Sequence, residues 1–412
     1  MLGFFYLLVA YTIVGVMEGE GTLVQGRVNW ELALGGSLSV GVVLYAIGVG
    51  LSEQALRLVK RGQARLAQGL VLLIPLLQIV AFAISLVALR WGTAIDSVEV
   101  GGRSVLDVPA LGVFLLLLPA IGFAIAGLLA RYELDSVLRP HVWTRGSYLD
   151  FNLRWILAPL PILLVLSLVQ EGFDALRTSV EPVGRVLFQV PALDLLVALL
   201  PFVIALSLFP LFLRLIFRTR PLRDEPLASH LRSIGRKAGV SYRDILIWDT
   251  GRAEIPNALV AGLLPGLRYV LISDTMLRRF PVHEIEAVIC HEFGHILHRH
   301  FWIYLAVMTG LLASLYALID PLTTSLGLAA GWSADATLVV QGVLAVSLLL
   351  VTLVTMLTRI SQLNERQADL AGSRLASDPL GIAGALERIN QLLGGGARDR
   401  PSPTHGSIAE RV

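Results

Sequence analysis

The chain has 412 residues, of which 55% are hydrophobic and 16% charged, with a mean hydropathy of +0.72 and a formal charge of +2. Water-soluble domains carry about a quarter charged residues, so this composition excludes an ordinary soluble globular protein as well as a disordered one. A single cysteine, Cys290, excludes an internal disulfide, and the small net charge gives no electrostatic footprint for nucleic acid.

A helix needs about 20 mainly apolar residues to cross a bilayer. Eight stretches meet or approach that length: 2–17, 32–51, 66–89, 106–130, 155–170, 186–213, 301–319 and 336–357. The stretches 2–17 and 155–170 are short, and Pro159 and Pro161 predict a kink or a partial crossing in the second. No basic residues precede 2–17, so it reads as a retained span and not a cleaved leader. Lys and Arg concentrate in alternate loops: Arg57, Lys60, Arg61 and Arg65; Arg131, Arg139, Arg145 and Arg154; Arg214, Arg218, Arg220 and Arg223. The loops between them carry only Arg27, then Arg90 and Arg103, then Arg177 and Arg185. The positive-inside rule turns this alternation into an eight-span topology with both termini in the cytoplasm. The bilayer is then an obligatory partner, and the cell (inner) membrane is the expected location.

The expected architecture is mainly α, a polytopic helical membrane protein with a small α+β domain. Its parts are N-terminal spans over 1–219, a polar cytoplasmic segment over 220–300, a transmembrane hairpin over 301–357 and a C-terminal segment over 358–412. Within the polar segment the pattern predicts a helix near 226–239, strands at Ile245–Trp248 and Tyr269–Ile272, and an extended stretch near Asn257–Val260. A helix from about Val282 to His300 follows and leads into the seventh span. Arg359–Leu375 reads as one further helix.

One motif carries chemistry: His291-Glu292-Phe293-Gly294-His295. Residues four apart share a helix face, so two imidazoles can hold one zinc ion and Glu292 stands beside the water that the ion activates. A catalytic zinc takes a third protein ligand. His298 is about 10 Å along the axis from His291, too far to close the same tetrahedron. His283 and His300 read as surface residues at the helix ends. A carboxylate from elsewhere is the better candidate, and Glu365 fits, with Asp369 four residues on to orient a ligand histidine. From spacing alone, the two carboxylates read equally as zinc-site groups and as solvated charges.

Glu284 to Cys290 running into His291–His295, followed by Glu365-x-x-Ala368-Asp369, resembles the integral-membrane gluzincin family of zinc metallopeptidases, which includes the zinc-type CAAX prenyl endopeptidases and the HtpX-like proteases. The resemblance extends over about 220–412, through Pro256-Asn257-Ala258, Leu271 to Thr275, and Thr404-His405 with Glu410-Arg411. It implies a zincin-like fold with one Zn2+ per chain bound by His291, His295 and Glu365, and Glu292 as general base. It further implies that His405 and Arg411 line the oxyanion, and that Asn257 and Ala258 lie on an edge strand that binds substrate. Gln362, Leu259 and Gly406 depart from residues usual in relatives, which bears on substrate contacts and leaves ligands and base intact.

The implied activity is hydrolysis of peptide bonds in membrane-associated proteins or peptides, on the cytoplasmic side. The alternative is a transporter or scaffold whose zinc is structural or absent. The sequence leaves open whether prenylated C-terminal peptides or damaged membrane proteins are cleaved, and the oligomeric state. Cys290 reads as a small buried residue and not a nucleophile.

Overall fold

The computed structural model describes the chain except for residues 1, 20, 25, 109, 139–143, 181–190, most of 333–357, 393–406 and 412. The chain divides into two compact units, one of residues 1–219 with 249–254, the other of 220–248 with 255–412.

The first unit is helical: α1 (Leu2–Gly19), α2 (Gly36–Lys60), α3 (Ala64–Val87), α4 (Leu118–Leu138), α5 (Arg145–Leu157), α6 (Leu160–Ser179) and α7 (Pro191–Ile216). Its core joins Tyr6, Leu7, Phe82, Leu117 and Phe123, while Leu38, Val42, Leu66 and Val87 stay exposed, as a lipid-facing surface requires. Buried Gln78 donates through Nε2 to the Phe123 carbonyl at 2.9 Å, so its amide is satisfied away from water.

Among the described residues, four segments are long and apolar enough to cross a membrane: Glu31–Lys60, Gly69–Val87, Leu111–Val137 and Arg145–Ser179. They correspond to the second to fifth expected spans. The fifth had looked short. It is lengthened because Thr144 caps α5 by accepting from the Ser147 amide, and because Pro159 and Pro161 sit where α6 begins, where no backbone donor is lost. The first, sixth and seventh expected spans fall in the helices Leu2–Gly19, Pro191–Ile216 and His300–Ala330, whose described apolar stretches include Tyr6–Gly15, Leu200–Ile216 and His300–Leu311. The eighth, 336–357, lies largely outside the described residues.

The second unit holds a four-stranded sheet and the helices packed on it. Its elements are β1 (Thr219–Pro221), α8 (Glu225–Lys237), β2 (Asp244–Trp248), β3 (Ala258–Ala261), β4 (Tyr269–Ser273), α9 (Val282–Leu297), α10 (His300–Ala330), α11 (Thr358–Leu375), α12 (Gly381–Leu392) and α13 (Ile408–Arg411). The strand order is β1-β2-β4-β3, with β2 parallel and β3 antiparallel to β4, so β3 forms an edge.

The motif helix α9 is the centre of this unit, and Ile285, Ala287, Ile289, Cys290 and Phe293 are all fully or nearly fully buried. A helix buried on most sides loses the single apolar stripe of a surface helix, and its charges must be paired. Glu284 makes a two-pronged contact with Arg388 of α12 at 2.7 and 3.0 Å. Glu286 takes His230 of α8 at 2.7 Å and both the amide (2.6 Å) and hydroxyl (3.0 Å) of Ser377. Burial would raise the Glu286 carboxyl, yet these partners hold it below its usual range.

Helix α9 ends earlier than the sequence predicts. His298 closes it and Arg299 adopts a left-handed conformation, φ 54°, before α10 starts at His300. The motif helix and the following apolar helix are therefore separate rods joined by a sharp turn.

Helices α9 and α11 cross at backbone contact. A β-carbon on Gly294 would lie 2.9 Å from the backbone of Ala368, and one on Gly372 would lie 2.8 Å from the His291 nitrogen. Gly372→Ala is expected to cost about 1–3 kcal/mol, the range for overpacked sites. It should appear as a lower melting temperature in detergent, with Gly266→Ala, whose added carbon meets nothing within 4 Å, as the neutral control.

Candidate metal centre

That crossing places Glu365 and Asp369, one turn apart on α11, against His291 and His295, one turn apart on α9. The His291 and His295 Nε2 atoms are 3.2 Å apart, and Glu365 oxygens lie 3.4 Å from His295 Nε2 and 3.7 Å from His291 Nε2. Zinc bonds of about 2.0–2.2 Å at tetrahedral angles set ligand atoms roughly 3.3–3.6 Å apart. The three groups, which could hold a metal ion together, stand close to that separation.

The outer ring atoms support the same reading. Asp369 Oδ1, able only to accept, lies 2.8 Å from His291 Nδ1. A proton on Nδ1 leaves Nε2 bare. That nitrogen, His295 Nε2 and the Glu365 carboxylate converge on one point, a donor set that suits a divalent cation. The residues present therefore fit a divalent metal.

Arg411 of α13 donates Nε and Nη2 to the two Asp369 oxygens, both at 2.8 Å, and its Nη1 lies 3.1 Å from Glu365 Oε2. Its side chain is buried. Burial alone would raise the Asp369 carboxyl, but Arg411 and His291 together hold it below the usual carboxylate range. Glu292, next to the first ligand, accepts from the Val260 amide of β3 at 3.3 Å, so the edge strand and the candidate base are adjacent.

Asn257 precedes β3 and ties into β4: its amide donates to Ser273 Oγ at 3.0 Å and its carbonyl accepts from the Ser273 amide at 2.8 Å. Successive residues of a strand direct their backbone groups to opposite sides. Because Val260 turns outward to Glu292, Ala258 two residues earlier turns outward too. His405 lies outside the described residues. Cys290 is fully buried and its thiol is pushed up to about 12 by burial and by Glu286, which removes thiolate chemistry.

Sequence reasoning missed one neighbour. His300, expected on the surface, is 2% exposed, with Nδ1 2.7 Å from His295 Nδ1 and Nε2 3.0 Å from Gln367 Oε1. The buried Glu284 and Glu286 pairs were missed as well. Two carboxylates in an otherwise apolar helical run are the signal that could have found them. His298 remains exposed and stacks on His300 at 5.8 Å.

Residues 221–412 match peptidase family M48. Similar curated proteins include the protease HtpX homolog of Pyrobaculum calidifontis, 32% identical over 44% of this chain and 52% of that protein. The protease HtpX homolog of Pyrococcus abyssi is 29% identical over 40% of this chain and 55% of that protein. The chain thus spans about half the length of these relatives. The crystal structure of Ste24p from S. mikatae aligns over 94% of this chain and 99% of its own, at 14% identity and a TM-score of 0.46.

Removing the outer partner of a ligand histidine costs about 10–100-fold in metal affinity. Asp369→Ala is accordingly expected to weaken zinc binding by that factor, measured by competition with a chromophoric chelator.

Proposed function

We propose, from the match of residues 221–412 to peptidase family M48, that this multi-pass membrane protein is a zinc endopeptidase that cleaves membrane-associated proteins or peptides. One observation carries the reading: His291, His295 and Glu365 converge as a set that could hold a metal ion, beside the Glu292 carboxylate that reaches the edge of the sheet. A structural zinc or a transport scaffold has no use for that fourth group, since structural sites are closed by protein ligands alone.

When bound, the zinc ion supplies Lewis acidity to the scissile carbonyl and to the attacking water. His291 and His295, through Nε2, and Glu365, through its carboxylate, would hold the ion. Glu292 takes the proton of the attacking water and passes it to the leaving amine. Its contact with the Val260 amide keeps the carboxylate next to the substrate strand.

The substrate binds as an added strand along the outer edge of β3. The outward backbone groups of Ala258 and Val260 supply main-chain hydrogen bonds with little dependence on side chains. Asn257, exposed at the head of the strand, adds a side-chain contact. Arg411 holds Asp369 and Glu365 in register and, together with His405, brings donors toward the oxyanion as it forms. The excess of Lys and Arg in alternate loops supports a site on the cytoplasmic side.

The deciding variant is Glu292→Gln in purified protein. Full zinc content with at least a 100-fold loss of peptide cleavage is expected, the scale on which positioned acid–base groups act. Unchanged cleavage would remove the reading.

A further inference from the structure

The two ligand imidazoles are held from behind by different chemistry. His291 is backed by a carboxylate, Asp369, whereas His295 is backed by a third histidine from another helix. His300 Nδ1 is 2.7 Å from His295 Nδ1, the rings meet edge to face at 77°, and His300 Nε2 is 3.0 Å from Gln367 Oε1. His300 is almost completely buried, and it stands at the first residue of α10, directly after Arg299. Arg299 has a left-handed backbone, a conformation that residues other than glycine rarely adopt. That turn aims His300 back at α9 instead of onward along the next helix. Strain held at such a joint marks a position that the surrounding structure fixes.

Proton bookkeeping along the row gives the row a direction. With Gln367 oriented to present Oε1, which only accepts, His300 donates to it from Nε2. A neutral imidazole carrying its proton on Nε2 has a bare Nδ1, so His300 accepts from His295 Nδ1. His295 then keeps its proton on Nδ1 and offers a bare Nε2 to the metal. Reversing the row would place a proton on His295 Nε2 and remove it as a ligand. Acceptance at the His300 Nδ1 position is therefore the same requirement as zinc ligation by His295.

The geometry points to His300 as a positioning residue that fixes the tautomer and orientation of His295, with Gln367 setting the direction of the row. The inference rests on the zinc-peptidase reading. It adds to that reading an acceptor on α10 behind the second ligand histidine.

Side-chain shape allows a sharp test. Asn places an amide oxygen where His carries Nδ1, whereas Gln places its oxygen nearer the Nε2 position. His300→Asn, His300→Gln and His300→Leu would be purified as full chains, with zinc affinity read by chelator competition and the ligand field by the visible spectrum after cobalt substitution. His300→Asn is expected to bind zinc within about threefold of the parent and to keep its cobalt spectrum. His300→Gln and His300→Leu should lose about 10–100-fold and show an altered spectrum, the range for lost support behind a ligand histidine. Gln367→Leu, on an exposed face of α11 and safe for folding, should weaken binding in the same direction. Equal affinity in all four variants would overturn the inference, as would an Asn variant as impaired as the Leu variant. A parent protein that binds no zinc would overturn the zinc reading and this inference together. A parent that binds zinc and variants that bind it equally well would overturn only the latter.

Discussion

The close crossing of α9 and α11 is the contact on which the site depends. Glu365 and His291 are 74 positions apart in the chain, and no local rule brings them together. They meet because Gly294 lets the Ala368 backbone approach on one side and Gly372 lets the His291 backbone approach on the other. Small residues at a helix contact let the axes come closer than ordinary side chains permit. At that distance the short side chains of His, Asp and Glu span the gap directly. Ligand atoms 3.2–3.7 Å apart are a consequence of that approach and need no loop to deliver them.

Holding the crossing in place has an electrostatic cost that the neighbouring residues offset. The motif helix carries Glu284 and Glu286 into the core, where unpaired carboxylates would each cost several kcal/mol. Arg388 of α12 and the His230 and Ser377 partners join the flanking elements to α9 through those same groups. Asp369 is tied by Arg411 in the same way. The charges that fix the helices and the charges that support the metal ligands therefore form one layer around the motif helix.

Much of this was legible in the sequence where the determining interactions are local. Spacing of four between His291 and His295 dictates one helix face, and hydropathy over about 20 residues locates the long helices. The strands at 244–248 and 269–273 lie within a residue of the runs that predict them. The need for a third ligand and the family resemblance pointed to Glu365 and Asp369, while their approach to the histidines needed the crossing. Two features were not legible. Arg299 carries no sign of a left-handed backbone, since Gly is the usual marker, so the end of α9 and the inward aim of His300 were hidden. The extent of the Arg145–Ser179 helical segment was hidden because its first half is polar, and a cap at Thr144 rather than hydropathy starts it.

A single metal ion shared by His291, His295 and Glu365 is the central claim. Diffraction from crystals of the zinc-loaded protein, collected on both sides of the zinc absorption edge, tests it most directly. One anomalous peak within about 2.0–2.2 Å of both Nε2 atoms and of a Glu365 oxygen is the predicted result. A peak elsewhere, or one bound by the two histidines with Glu365 turned away, would contradict it.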